Sequence, residues 1–155
     1  MKFAHLADCH VGGWREEKLN KLSVEHFTRA VDICLDENVG FVLISGDLFD
    51  VAMPGYDIIN EVAKQLARLK EDDVGVYIIP GSHDYSVTGK TALNILESAD
   101  LCINVCKLED NKLHLVEDKT GVKITGMLGK RGGLEKEDYK KLEARTRRLE
   151  KDHSN

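Results

Sequence analysis

Three apolar runs in this chain each end in a short polar turn carrying carboxylates or imidazoles, and that repetition constrains the fold more than any other feature. Residues 2–7 close on Asp8-Cys9-His10, residues 41–45 on Gly46-Asp47-Leu48-Phe49-Asp50, and residues 74–79 on Pro80-Gly81-Ser82-His83-Asp84. Phe-Val-Leu-Ile-Ser at 41–45 is a continuous apolar run with β-branched members, the pattern of a strand buried on both faces. Helical patterns separate the runs. The first begins at Ser23, a residue suited to capping, and carries Phe27, Ala30, Val31, Cys34 and Leu35 as one stripe. It is predicted to stop at Asn38-Val39-Gly40, with Gly40 supplying the left-handed conformation. The second is predicted over residues 57–70, with Ile58, Ile59, Val62, Ala63, Leu66 and Leu69 inward. A short helix near 91–98 and a strand-like run at 101–105 continue the cycle. Strand and helix alternating at this spacing predict βαβ units, hence an α/β fold with a mostly parallel sheet. After residue 107 the pattern changes to an antiparallel hairpin of residues 113–116 and 122–125, then a charged helix over 134–152.

In an open α/β sheet, ligands bind beyond the carboxyl ends of the strands, and all three polar turns fall there. On an extended backbone Asp8 and His10 point to the same side. Asp47 is the natural bridge between two ions, because Gly46 beside it lets the backbone pass close. Mixed carboxylate and imidazole donors suit manganese, iron or zinc better than calcium. A metal pair of that kind clamps a phosphate and activates water near neutral pH. His83 is placed to stabilise or protonate the leaving oxygen, and Asp84 to orient its imidazole. Simpler readings exist for each: Asp8 and His10 as loop polar residues, Asp47 as a helix cap, His83-Asp84 as a turn. His5 reads as a packed histidine. Gly89-Lys90-Thr91 is not a phosphate-binding loop, because position 84 is Asp where that motif needs Gly.

Composition narrows the class. With 155 residues, 42% apolar and 32% charged, the chain fits one globular domain. No apolar run approaches the ~20 residues of a membrane span, and no secretory signal pattern is present, so a cytoplasmic protein is expected. Cys9, Cys34, Cys102 and Cys106 form no C-x-x-C pair and are expected to be reduced. A net charge of −5 argues against indiscriminate nucleic-acid binding. An acidic body still binds phosphates where divalent cations cover its carboxylates.

Asp-x-His, Gly-Asp-x-x-Asp and Gly-Ser-His-Asp resemble the first three motifs of the calcineurin-like metallophosphoesterases. His-Leu-Ala-Asp-Cys-His-Val-Gly, Ser-Gly-Asp-Leu-Phe-Asp and Ile-Pro-Gly-Ser-His-Asp are similar to the SbcD/Mre-type DNA double-strand-break repair nucleases, as is Ile124-Thr-Gly-Met-Leu-Gly followed by Arg-Gly-Gly-Leu-Glu. The likeness runs over most of residues 2–135. It implies a calcineurin-like sandwich in which Asp8 and His10 hold one metal, Asp47 bridges both, and Ser82 stands at the second-metal asparagine. It makes His83 the transition-state histidine and Asp84 its supporting carboxylate, with Asp50 away from metal. It further implies Mn²⁺ in a two-metal centre, DNA ends as substrate, a homodimer, and a coiled-coil SbcC-like repair ATPase as partner. Two departures stand out. Ser82 replaces an asparagine, and the family's three later histidines have no counterpart at the right spacing, since only His114 and His153 follow His83. The expectation is therefore that residues 1–155 are the N-terminal portion of a nuclease domain, inactive alone. The alternatives are a phosphoesterase acting on small nucleotides or phosphoproteins, and a non-catalytic scaffold for dimerisation or ATPase docking.

Overall fold

The computed structural model describes residues 1–86, 88–106, 108–109, 112–113 and 115–128. The predicted helix over 134–152, His114 and His153 lie outside the described residues. Four parallel strands form the central sheet: β1 (Ala4–Leu6), β2 (Phe41–Ser45), β3 (Gly75–Ile79) and β4 (Ile103–Asn104), in the order β1-β2-β3-β4. Helices α1 (Glu17–Asp36), α2 (Tyr56–Glu71) and α3 (Ala92–Ser98) make the connections. Because each crossover steps one strand in the same direction with the same hand, all three helices fall on one face. Their buried residues, Phe27, Val31, Val62, Leu66, Leu69, Leu93 and Leu96 among them, share a core with Val42, Ile44, Val76 and Ile78 of the sheet.

The opposite face carries the other half of the alternation. Phe41 and Tyr77 pack there with Val105 and Ile124, and with the partly buried Leu43, Ile79, Val116 and Val122. The strand at 41–45 is thus covered on both sides, as its unbroken apolar run predicts. The cover on this second face includes the hairpin β7 (Val116–Glu117) and β8 (Lys123–Ile124), with Val116 opposite Ile124. The predicted hairpin is therefore present but shorter. Its first strand was expected to include Leu113, which instead belongs to β6 (Lys112–Leu113), paired with β5 (Leu108–Glu109). A buried bond pins the second hairpin to the sheet, the Tyr77 hydroxyl donating to Asp118 at 2.6 Å. Burial and this carboxylate push the Tyr77 phenol pKa up.

Helix boundaries differ from the sequence pattern in two instructive places. Ser23 does not cap α1 but lies inside it, its hydroxyl donating to the Asn20 carbonyl at 2.6 Å and accepting the Gly12 N–H at 3.1 Å. The helix extends further back because these bonds stitch its first turns to the loop after β1. The stop also falls earlier than Gly40. Asn38 adopts φ 51°, Val39 N–H bonds Cys34 O at 3.2 Å, and Asn38 N–H bonds Leu35 O at 3.0 Å. The same pair of bonds recurs after α2, at Asp73 (φ 60°) and Val74, and after α3, at Asp100 (φ 58°) and Leu101. Each is a Schellman motif in which Asn or Asp takes the left-handed position and the next residue is apolar. Thr91 caps α3 reciprocally with Asn94. Among the described residues no helix is long and apolar enough to cross a membrane.

A left-handed backbone costs a β-branched side chain ~1–2 kcal/mol relative to residues that tolerate it. Asn38→Val is therefore expected to lower unfolding free energy by about that amount, and Asn38→Gly to leave it equal or higher, as read from urea denaturation midpoints.

Candidate metal centre

The three polar turns meet at one end of the sheet because the backbone pairing does not stop with the strands. Asp8 N–H donates to Gly46 O at 3.1 Å, His10 N–H to Asp47 O at 3.0 Å, and Val11 N–H to Leu48 O at 2.9 Å. The segment after β1 therefore runs alongside the segment after β2. Asp8, His10 and Asp47 each offer a ligand atom, and these three atoms lie within 4.8 Å of one another. The convergence does not arise from strand alternation. β1 ends at Leu6, and Asp8 (φ 52°), His10 (φ 44°) and Asp47 (φ 49°) are all left-handed. Each such residue costs ~1–2 kcal/mol, a strain that collects at functional sites.

Two glycines permit the approach. Gly46 takes φ 88°, and a Cβ on it would stand 3.3 Å from the Gly81 Cα. A Cβ on Gly81 would lie 2.2 Å from both the backbone nitrogen and Oδ1 of Asp47. The turn after β3 can thus rest directly on Asp47, whose Oδ1 accepts the His83 N–H at 2.8 Å. Ser82 is half-buried in the same turn.

The two imidazoles are organised by Asp50. His10 Nδ1 is 3.1 Å from Asp50 Oδ1, and His83 Nδ1 is 2.7 Å from the Asp50 carbonyl oxygen and 3.7 Å from Oδ1. Their rings meet edge to face at 4.8 Å. A carbonyl only accepts, so His83 carries its hydrogen on Nδ1 and Nε2 is the nitrogen free to exchange a proton. Likewise Asp50 occupies Nδ1 of His10 and leaves Nε2 for a ligand role. His10, Asp50 and His83 also form a second cluster with metal-ligand spacing. The motif likeness places Asp50 away from metal, whereas here its carboxylate lies within ligand distance of both imidazoles.

Asp84 does something other than expected. It is 1% exposed, and its carboxylate accepts the N–H groups of Leu48 at 3.2 Å, Phe49 at 3.0 Å and Gly81 at 3.0 Å. Its carboxylate is engaged by these backbone groups, and the His83 imidazole bonds the Asp50 carbonyl instead. Asp84 ties the turn after β2 to the turn after β3. His5 also differs: it is exposed, with Nε2 2.8 Å from Ser45 Oγ. Cys9, between the candidate ligands, has its thiol pushed up to about 11 by burial and then by Asp8 and Asp84, so it stays protonated at neutral pH. All four cysteines are free thiols.

The donor set fits a divalent transition ion: two carboxylates and an imidazole converge, held by bonds that leave their outer atoms clear. The whole of this chain, residues 1–155, matches the calcineurin-like phosphoesterase family, and it belongs to that family. It is 33% identical over 117 residues to the DNA double-strand break repair protein Mre11 of Archaeoglobus fulgidus, covering 72% of this chain and 25% of that protein. It is 33% identical over 120 residues to the DNA double-strand break repair protein Mre11 of Sulfolobus acidocaldarius, covering 74% and 31%. It is also 32% identical over 98 residues to the uncharacterized metallophosphoesterase YhaO of Bacillus subtilis, covering 55% and 23%. The chain spans about a quarter to a third of the length of the curated relatives it matches.

Two substitutions separate scaffold from ligands. Asp84→Ala strands buried N–H groups and is expected to cost about 3 kcal/mol of stability, measured by denaturant unfolding. Gly81→Ala drives a methyl group into Asp47, and is expected to weaken divalent-ion binding ~10-fold or more by titration calorimetry, as displaced supporting contacts do elsewhere.

Proposed function

We propose that this chain is part of a manganese-dependent nuclease that hydrolyses DNA phosphodiesters at double-strand breaks. The observation that carries the proposal is the meeting of Asp8, His10 and Asp47 beside an Asp50-held His83. Membership of the phosphoesterase family supports the reaction class, and the likeness to the two Mre11 proteins supports DNA as substrate.

In this reading Asp8, His10 and Asp47 would hold a divalent ion, and Asp47 would be the ligand shared with a second. A divalent ion bound there neutralises phosphate charge and lowers the pKa of water at the site. His83, its Nδ1–H fixed on the Asp50 carbonyl, exchanges a proton through Nε2 with the leaving oxygen. Asp50 keeps both imidazoles in one tautomer and orientation. Asp84 acts as a positioning residue, fixing the turn that presents His83. Ser82 would be a short neutral donor for a second ion. The exposed Trp14, Leu19 and Leu22 offer apolar surface for a second copy or for a coiled-coil repair ATPase.

The test is a calorimetric titration with Mn²⁺ of the 155-residue chain and its Asp47→Ala variant, followed by cleavage of linear duplex DNA by the longest form of the protein. Asp47-dependent binding is expected, roughly 10-fold weaker or worse in the variant, with cleavage lost alongside it. Equal affinity in parent and variant would end the metal assignment. Cleavage of small phosphate esters with none of DNA would move the substrate to another class.

A further inference from the structure

Directly beyond His83 the turn opens into a cavity of about 310 Å³ that the metal site does not use. Its walls are apolar, formed by Pro80, Leu93, Cys106, Met127 and Leu128. Tyr85, 58% exposed, stands in its lining two residues after His83.

The polar groups around it are mostly spent. Thr91 and Asn94 cap each other, and the Ser86 hydroxyl lies 2.9 Å from that of Thr88. Asn104 accepts the Cys106 N–H through Oδ1 at 2.9 Å, which leaves its NH₂ as a donor. The one charged group in the lining, Asp84, already accepts three backbone N–H bonds. Among the described residues no lysine or arginine lines the cavity. The described lining therefore offers a phosphate no cationic side chain, and offers a cation only a satisfied carboxylate. Aliphatic and sulfur walls, one aromatic ring and one amide donor suit a neutral, flat heteroaromatic group with acceptors on its edge.

We propose that this cavity takes the nucleobase of a nucleotide flanking the scissile phosphate. The inference rests on the phosphodiesterase reading above and adds a base subsite to it. Its volume lies at the low end of ligand cavities, which run from roughly 300 to 1,000 Å³. A base reaches walls of this kind when its nucleotide is unpaired and unstacked. Position agrees: a nucleotide carries its base one sugar away from its phosphate, and Tyr85 lies two Cα steps of ~3.8 Å from His83. Stacking on one aromatic ring tolerates any of the four bases, so the subsite selects for an unpaired end rather than for a sequence.

The experiment uses the full 155-residue chain with Mn²⁺, and the 5′-monophosphate of 2-aminopurine deoxyribonucleoside as a fluorescent probe whose emission falls on stacking. 2-Deoxyribose 5-phosphate serves as the probe without a base. The variants are Tyr85→Ala, at an exposed position, and Met127→Trp, which fills the cavity. The expected result is saturable quenching by the parent, weakened about tenfold or more in both variants, as loss of one base–aromatic contact implies. Mn²⁺ affinity stays at the parent value, and deoxyribose phosphate competes poorly. No quenching by the parent, or equal quenching in parent and both variants, overturns the base subsite. Failure of the underlying reading looks different: Mn²⁺ binding is then insensitive to Asp47→Ala, whatever the probe does.

Discussion

The site depends on one buried carboxylate. Asp84 gathers the N–H groups of Leu48, Phe49 and Gly81, donors from two different turns that no strand pairing satisfies. Such a charge inside a protein persists only when fully hydrogen-bonded, and its bonds are then stronger than neutral ones. Its effect is to make the turns after β2 and β3 a single rigid unit. Asp47, Asp50 and His83 ride on that unit, and Gly46 and Gly81 let its two halves touch. Remove the clamp and the candidate ligands keep their chemistry but lose their common frame.

Strain and support are arranged in a consistent way. Asp8, His10 and Asp47 are left-handed, a conformation that Asn38, Asp73 and Asp100 also adopt at helix ends. At the helix ends the conformation is repaid locally, by the two hydrogen bonds of each Schellman motif. At the site it is held by pairing with a neighbouring segment, through Asp8 to Gly46 and His10 to Asp47. The same local geometry therefore serves to end helices in one place and to aim ligands in another. Asp50 completes the arrangement by fixing two imidazoles at once, an economy that places a proton-transfer group and a ligand side by side.

Much of this was legible in the residues. The continuous run at 41–45, the inward stripes of α1 and α2, and the placing of three polar turns after three strands all follow from periodicity. Phe27, Val31 and Cys34 are buried where their spacing puts them. Boundaries were less legible. The start of α1 is moved by Ser23 and Asn20 bonding to the loop at residues 12 and 13, contacts between segments that a local pattern does not contain. The helix stop is readable in principle, since Asn38-Val39, Asp73-Val74 and Asp100-Leu101 repeat one signature, although the glycine pattern points to Gly40.

The sequence by itself determined the alternation of strand and helix, the parallel sheet, and the delivery of carboxylates and imidazoles to its carboxyl edge. These depend on residue type and spacing along one segment at a time. Tertiary structure alone decided which carboxylate does what. Asp84 lies next to His83 in sequence yet its carboxylate serves the backbone of another turn, while the backbone carbonyl of Asp50, 33 residues away, accepts from the imidazole. Adjacent side chains of a turn diverge, and partners are set by which segments the sheet brings alongside. No one-dimensional pattern carries that information, because it belongs to the pairing of β1 with β2 and of β2 with β3.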